Sequence, residues 1–427
     1  MGQSIGSEQV VTQRLGPLEH HAHFHDALSI VKKLQAEGFQ ALFAGGCVRD
    51  AWLGVSAVDI DIATSAKPDD IERLFPKTLA VGKAFGTMVV VKESGQFEVT
   101  TFRKDGDYLD GRHPENVTFS DAEEDAKRRD FTINALFYDP IAHQTIDYVG
   151  GIKDLNQRVI RTVGVAADRF NEDQLRLLRA VRFSSQLGFD IELKTWKSVE
   201  ELSPKIKNVS RERVWQELLK LLKGKSARLG LERLVRSRLA GGGVWPTLQA
   251  MHDDPVTWKL FVERIKWLHS PETFMAIFAT LTKDIAAFYR DLESLKPPRH
   301  FTQAVKHLAQ VHEQLWKNET KRSERVRILG AEDSALVLEM SEAEAEAAKN
   351  SNMLEGWIAE YLKICDKQGN LPKAFLTGEE LLKLGFKAGP LLGKVLEEAY
   401  SLQLEGEISS QMQAVQFAQK RLGETNT

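Results

Sequence analysis

Two carboxylates, Asp59 and Asp61, stand two residues apart in the stretch FAGGCVRDAWLGVSAVDIDIATS, residues 43–65. Because side chains alternate along a strand, a strand over residues 58–63 would point both aspartates to one face and Ile60 into a core. Two like charges on one face raise each other's pKa, and a cation relieves that repulsion. Mg²⁺ takes one or two carboxylates and completes its shell with water and substrate phosphates. The pair therefore predicts a magnesium site facing a phosphate-bearing substrate, although most Asp-x-Asp pairs are simply exposed strand or turn residues.

The residues upstream of this pair favour the metal interpretation. Gly45 and Gly46 would let backbone approach a phosphate closely and leave amide groups free at the start of a short helix. Arg49 would add a charge-assisted contact to the same phosphates. Two ions at such a site would activate an attacking hydroxyl and stabilise the leaving oxygen. Glu98, in the segment FEVTTFR, is the candidate for a third carboxylate, while Asp50 is either a further polar ligand or a contact to the helix start.

Length and composition limit the class of protein. A chain of 427 residues with 42% hydrophobic residues predicts two to four folded domains. The formal charge of −3 means that any nucleic acid must be held by local basic patches. Only Cys47 and Cys365 are present, which predicts a reducing compartment and no disulfide scaffold. The sequence lacks a run of 18 apolar residues and an apolar signal region, so we expect no membrane span, no secretion signal and a cytoplasmic protein.

The elements that must position these residues change in type along the chain. We expect about twenty frayed polar residues first, then a helix that stops at Gly38. The segment KDGDYLDGRHP, residues 104–114, predicts a mobile loop, and after about residue 165 almost everything predicts helix. The fold class is therefore α+β, with a small mixed sheet followed by an all-α part. The predicted strands cover residues 40–44, 58–63, 87–92 and 97–103.

Two further clusters have more than one interpretation. Residues 205–236 contain ten Lys or Arg against three Glu, a local net charge of +7, which indicates either a nucleic-acid contact or a solvated helix face. The segment HHAHFH, residues 20–25, could bind a transition metal, but a polar segment leading into a helix is favoured.

Four later segments follow the Gly-Gly and Asp-x-Asp stretch in order: KRRDFTINAL at 127–136, DYVGGIKDL at 147–155, EDQLRLLRAVRF at 172–183 and SRERVWQELLKLL at 210–222. Together they resemble the motifs of the nucleotidyltransferase superfamily related to DNA polymerase β, in the class II branch of bacterial CCA-adding tRNA nucleotidyltransferases and poly(A) polymerases. Residues 376–408 are similar to the tail of the tRNA enzymes. The resemblance implies a polymerase β-like catalytic head at 1–163, a helical neck at 164–236, a helical body at 237–320 and a tRNA-binding helical tail at 321–427.

The resemblance also implies roles for individual residues. Asp59 and Asp61 would be catalytic and hold Mg²⁺, while Asp130 and Asn134 would shape the ribose site. Asp173 and Arg176 would select the base. The residues implied to bind the nucleotide are Gly46, Arg49, Arg129, Asp173, Arg176, Arg179 and Arg182.

Base selection by Asp173 and Arg176 has a physical reason. Residues three apart on a helix are neighbours, so these two would lie side by side. A carboxylate accepts from an exocyclic amino group and a guanidinium donates to a ring nitrogen, a pattern that cytosine and adenine share and that guanine and uracil invert. A mismatched base would leave buried polar groups unpaired. Without the resemblance, the same spacing fits an ordinary ion pair on a helix surface.

The expected activity is addition of C, C and A to the tRNA 3′ end from CTP and ATP, without a nucleic-acid template. The alternatives are a poly(A) polymerase, a specialised A-adding or CC-adding enzyme, or an RNA-binding protein with a degenerate head. In the family, an intact loop at the position of residues 104–114 accompanies addition of the terminal A, and the loop here has full length. The basic segment would lie along the acceptor arm of tRNA.

Overall fold

The computed structural model describes residues 8–106, 117–316 and 320–425. It divides into two compact units, residues 1–249 and 250–427. The division into four domains with boundaries at 163, 236 and 320 is finer than this and stays a prediction. The loop predicted at residues 104–114 falls largely on residues 107–116, outside the described part of the chain.

The first unit is built on a mixed sheet. Some helices pack around the sheet, and others follow it in sequence. Its strands are β1 (Gln9–Thr12), β2 (Ala41–Ala44), β3 (Ile62–Thr64), β4 (Thr78–Gly82), β5 (Thr87–Val91), β6 (Gln96–Thr101), β7 (Arg103–Asp105), β8 (Val117–Phe119), β9 (Leu136–Asp139), β10 (Gln144–Asp147), β11 (Val159–Ile160) and β12 (Asp190–Ile191). Its helices are α1 (Gly16–Glu19), α2 (Phe24–Ala36), α3 (Gly46–Trp52), α4 (Pro68–Leu74), α5 (Ala122–Lys127), α6 (Gly151–Gln157), α7 (Ala166–Glu172), α8 (Leu175–Leu187), α9 (Leu193–Leu202), α10 (Arg211–Leu222) and α11 (Ala227–Arg236).

Sheet order places two carboxylate-bearing segments side by side. The order is β1-β10-β9-β2-β3-β6-β5-β4, in which β3 and β6 are parallel and the other pairs are antiparallel. Ile62 of β3 pairs with Val99 of β6, which places the preceding residues, Asp61 and Glu98, next to each other. Strand β2 is buried throughout, which anchors this end of the sheet in the core.

Two expectations about this unit are wrong in detail. The strand predicted over residues 58–63 begins only at Ile62. The Ala44 amide at the end of β2 still donates to the Asp61 carbonyl at 3.0 Å, but the chain then turns into α3 and leaves residues 58–60 without a strand to pair with. The aspartates still face away from the core, since Ile60 and Ile62 are buried. The N-terminal residues are also not all frayed, because β1 pairs with β10 at the edge of the sheet.

The second unit is helical, as predicted, and α12 (Pro246–His252) contains the boundary before it. Its helices are α13 (Pro255–Arg264), α14 (Pro271–Leu281), α15 (Ile285–Ser294), α16 (Arg299–Leu315), α17 (Arg322–Leu329), α18 (Ser334–Ala348), α19 (Ser351–Ile364), α20 (Gly378–Lys383), α21 (Pro390–Glu405) and α22 (Gln411–Thr425). The apolar α14 forms the centre of one core, and Leu381, Phe386 and Val395 belong to a second, C-terminal core. None of the helices in the described ranges is long and apolar enough to cross a membrane. The α+β class is confirmed, with the short β12 as the one strand found beyond residue 165 in the described chain.

Candidate active site

A cavity of about 680 Å³ opens in the first unit where the end of the sheet meets α8 and α10. All nine residues predicted to form the site line it: Gly46, Arg49, Asp59, Asp61, Arg129, Asp173, Arg176, Arg179 and Arg182. Segments as far apart in sequence as β2 and α10 contribute to the lining. The fold therefore brings the sequence motifs into one place.

The carboxylates form an unneutralised group at one wall of this cavity. In the described chain, the side chains of Asp59, Asp61 and Glu98 form no ion pair. Burial and the charges of Glu98 and Asp59 together raise the pKa of Asp61 to about 6, although Arg129 opposes the shift. Repelling carboxylate oxygens that open toward a cavity fit a hard cation such as Mg²⁺.

Glu98 is close enough to affect Asp61, but its role as a third ligand stays a prediction. Over the described ranges, no group of three or more His, Cys, Asp or Glu side chains is placed to hold a metal ion. The donor set that the protein itself offers is therefore the pair Asp59 and Asp61. Such a set leaves coordination positions for water and phosphate oxygens, as Mg²⁺ sites commonly do.

The glycine turn before α3 is shaped by an arginine. Gly45 has φ +75°, a conformation that favours glycine, and a Cβ atom there would lie 2.8 Å from Nη1 of Arg129. The Gly45 amide donates to the carbonyl of Leu136 at 3.0 Å, which ties the turn to β9. Gly45 is thus required by the approach of Arg129 as well as by its backbone conformation.

Arg49 is held in the cavity on both sides of its guanidinium. Its Nη1 donates to Oδ1 of Asn134 at 2.6 Å, and its Nε donates to Oδ1 of Asp50 at 2.8 Å. The group also lies over the ring of Phe183, 5.3 Å from the centroid. The Asp50 carboxylate orients Arg49, a contact that is neither of the two roles considered for it from the sequence.

Arg129 is fixed by a buried carboxylate that the sequence motifs did not single out. Its Nε and Nη2 donate to Oδ2 of Asp125 at 3.2 and 3.1 Å, and its Nη1 donates to the carbonyl of Asn134 at 3.1 Å. Burial would raise the pKa of Asp125, but Arg129 and Arg128 outweigh it and lower the pKa. The signal available in the sequence was the i, i+4 spacing of Asp125 and Arg129 at a helix end.

Arg179 and Arg182 bind acids inside the protein. Arg179 donates through Nε to Oδ2 of Asp130 at 2.7 Å, and Arg182 donates through Nε to Oε2 of Glu217 at 2.8 Å. Burial would raise the pKa of Asp130, yet Arg179 and Arg176 lower it to about 2. Asp130 also accepts from Asn134 at 3.1 Å, so both residues predicted at the ribose site support the arginine wall.

The expectation that Asp173 and Arg176 lie on one helix is wrong, although both residues line the cavity. Asp173 lies between α7 and α8, where its Oδ1 accepts from the amide of Leu175 at 3.0 Å. Its Oδ2 accepts from Nη2 of Arg213 at 2.7 Å, while Nη1 of Arg176 donates to Glu172 at 2.6 Å. Because a carboxylate that binds a nearby backbone amide interrupts a helix, the continuous periodicity of this segment was misleading.

Arg213 is the functional candidate that motif reasoning missed. It belongs to the segment SRERVWQELLKLL and lines the cavity from α10. Its partner Asp173 is 40 residues away in sequence, so no local spacing indicates the pair. Lys220, on the same helix, also reaches the lining.

Family models match most of the chain in consecutive blocks. Residues 41–161 match the "Poly A polymerase head domain". Residues 188–242 match the "Probable RNA and SrmB- binding site of polymerase A", and residues 266–418 match a second domain of tRNA nucleotidyltransferases.

The chain also matches complete relatives over nearly their full length. The chain is 35% identical over 407 residues to the CCA-adding enzyme of Streptococcus mutans, covering 94% of this chain and 98% of that one. It matches the crystal structure of the Bacillus stearothermophilus CCA-adding enzyme in complex with CTP at a TM-score of 0.75 and 30% identity, over 95% and 99% of the two chains. The Thermotoga maritima CCA-adding enzyme complexed with tRNA shares the fold, at a TM-score of 0.69 and 19% identity over 97% and 99% of the chains. Sequence, fold and the order of the motifs agree, and the chain belongs to the class II family of CCA-adding tRNA nucleotidyltransferases.

Proposed function

We propose that this protein adds C, C and A to the 3′ end of tRNA from CTP and ATP, without a nucleic-acid template. The observation that carries the proposal is the single cavity that combines a free carboxylate pair, a wall of arginines and the Asp173 and Arg176 groups. The relatives named above carry the same activity in their names. In the reaction, the 3′ oxygen of tRNA bonds to the α-phosphorus, the bond from that phosphorus to the bridging oxygen breaks, and pyrophosphate leaves.

Asp59 and Asp61 are proposed to hold Mg²⁺ beside the reacting phosphate. Two such ions would supply Lewis-acid chemistry, one to the hydroxyl nucleophile and one to the leaving oxygen. Arg49 and Arg129 line the same cavity and would bind the triphosphate. A guanidinium has five N–H donors, so each arginine keeps donors that its protein partners do not use. Gly46 and the deeper Arg179 and Arg182 complete this nucleotide site.

Base choice is proposed to rest on Asp173 and Arg176, each held by its own partner. Arg213 fixes the carboxylate, and Glu172 fixes the guanidinium. Free oxygen lone pairs of Asp173 accept from the amino group of cytosine or adenine, and free N–H groups of Arg176 donate to the ring nitrogen. Guanine and uracil present the opposite order and are rejected.

The tRNA is proposed to meet the exposed lysines of residues 205–236. Lys207, Lys223 and Lys225 are exposed, whereas Arg233 is engaged with the carbonyl of Phe189 and with Asp190. The exposed part of the segment suits the phosphates of an A-form acceptor arm, which is bound by shape. We place the activity in the cytoplasm and keep the division into head, neck, body and tail as part of the proposal.

A primer-extension assay tests this function. Purified protein is incubated with tRNA ending before CCA, with tRNA ending after CC and with an unrelated RNA, with CTP and ATP supplied singly and together. Growth by C, C and A that then stops is expected. An extending A tail would indicate a poly(A) polymerase, addition of C alone or A alone a specialised enzyme, and no extension an RNA-binding protein. Asp59→Ala and Asp61→Ala should abolish extension in folded protein, and substantial retained turnover would contradict the metal assignment.

A further inference from the structure

The turn that joins α1 to α2, residues 20–23, contains three of the four histidines of the N-terminal cluster and has no part in the proposed reaction so far. Its contacts lead to the active site. We call residues 20–23 the histidine turn.

Both ring nitrogens of His21 have a partner. The backbone N–H of His23 lies 3.1 Å from Nδ1, and the carbonyl oxygen of Val58 lies 3.2 Å from Nε2. Because a backbone N–H is always a donor, Nδ1 is the acceptor and carries no proton. The neutral ring therefore has its proton on Nε2 and donates it to the Val58 carbonyl.

Val58 directly precedes Asp59, in a segment whose C-terminal end is held by the buried side chain of Ile60. Residues 56–60 lie between α3 and β3, and no backbone–backbone hydrogen bond to them occurs within the described ranges. The Val58 side chain is 85% exposed, so it contributes little packing. The His21 ring is thus an anchor for the backbone that carries the first metal-binding carboxylate.

The same turn also reaches the neighbouring strand. The ring of His23 packs edge-on against Phe97, with centroids 6.0 Å apart, and Phe97 directly precedes Glu98 in β6. The histidine turn therefore contacts the residues immediately before Asp59 and Glu98, two of the three cavity carboxylates that form no ion pair in the described chain. Contacts at both places would set how far apart these carboxylates lie.

We propose that His21 is a positioning residue of the transfer reaction, which holds the Val58 carbonyl so that Asp59 stays in place beside Asp61. The proposal rests on the proposed function, because it assigns His21 a task only if Asp59 binds the catalytic metal. His21 does not reach the nucleotide site, so its loss changes kcat and leaves the KM for CTP unchanged.

Three substitutions separate the two hydrogen bonds of the ring. In His21→Asn the carboxamide ends near the position of Nδ1, so it still accepts from His23 and no longer reaches Val58. In His21→Gln the amide nitrogen reaches the position of Nε2 and can still donate to Val58. His21→Phe keeps the ring volume and loses both bonds. His20→Phe is the matched control, since His20 lies in the same turn and is exposed.

The variants are compared by steady-state extension of tRNA ending before CCA, with thermal unfolding measured alongside. His21→Asn and His21→Phe both lose the hydrogen bond to Val58, which predicts that kcat falls about fivefold in each. The KM for CTP should stay unchanged, His21→Gln should keep wild-type kcat, and His20→Phe should have no effect. A folded His21→Asn protein with wild-type kcat would overturn the proposal, and so would an equal loss in His20→Phe. If His21→Phe does not fold, the Asn and Gln pair decides by the same criterion. Failure of the proposed function is a different result, because the wild-type protein itself would then add no nucleotide.

Discussion

At the scale of single residues, the cavity is organised by acids that hold arginines in place. Asp125, Asp130 and Glu217 are buried and each binds an arginine of the wall. A guanidinium fixed in this way needs no reorientation when a triphosphate arrives, which lowers the cost of binding and of charge development during transfer. The acids have no direct contact with substrate in this account, and their effect is to preorganise the arginines.

The ion pair of Asp130 allows this role of the buried acids to be tested by measuring the stability of the protein. An ordinary aspartate has a pKa of 3.8, whereas Arg179 and Arg176 overcome burial and lower the pKa of Asp130 to about 2. The lowered folded-state pKa means that its stabilisation is present above the ordinary value and is lost as the pH falls through about 2. Asp130→Asn should therefore reduce the free energy of unfolding by about 3 kcal/mol near neutral pH, the typical cost of breaking a buried ion pair. Urea unfolding at about pH 6 and about pH 3 measures how far this difference in the free energy of unfolding shrinks at the lower pH.

The matched control for this experiment is Asp168→Asn. Asp168 is exposed on α7, so its substitution should change stability little at either pH. If Asp130→Asn loses the same free energy of unfolding at both pH values, the result would contradict a stabilising charge on the Asp130 carboxylate.

At the scale of elements, the junction between β2 and α3 depends on Gly45. Gly45 and Gly54 have the same φ of +75°, but a Cβ atom would meet Nη1 of Arg129 only at Gly45, while nothing lies within 4 Å at Gly54. Alanine at either position should cost at least about 1 kcal/mol of stability because φ is positive, and more at Gly45, whose ψ of −126° lies outside the left-handed helical region. Only Gly45→Ala should also raise the KM for CTP, because Arg129 must move. Equal KM values in the two variants would show that the close approach has no role in nucleotide binding.

The elements that sequence reasoning placed well are those with a strong local pattern. The helix α2 and the strands β2, β5 and β6 follow from apolar periodicity and glycine turns. The break between α7 and α8 was missed because it depends on one side-chain bond, from Asp173 to the amide of Leu175. The partners of the arginines were missed for another reason: Asp173 and Arg213, or Asp130 and Arg179, meet only when distant segments have folded together.

At the scale of the whole molecule, recognition of tRNA has to rely on local charge. The protein has a formal net charge of −3, yet residues 205–236 carry a local excess of basic groups. Binding through such a patch releases counterions and weakens as salt rises. The double substitution Lys223→Glu and Lys225→Glu should lower tRNA affinity severalfold and reduce the salt dependence, without changing the KM for CTP. Fluorescence anisotropy with labelled tRNA over a salt series measures both effects.

Two lysines elsewhere in the first unit provide a charge-matched control. Lys32 and Lys77 are exposed in the first unit and lie outside the basic segment. Their substitution by glutamate changes the net charge by the same amount. If both double variants lose tRNA affinity equally, tRNA binding depends on the overall charge of the protein, and the basic segment has no specific role.

The central claim is that protein side chains, with Asp173 foremost, select C and A in place of a template. The most direct measurement supplies each of the four nucleoside triphosphates singly to tRNA ending before CCA and compares wild-type protein with Asp173→Ala. The wild type should add C and neither G nor U. Asp173→Ala should lose at least about tenfold of its preference for CTP over UTP, because a buried polar contact to the base is removed. A folded, active Asp173→Ala protein with the wild-type preference would contradict it.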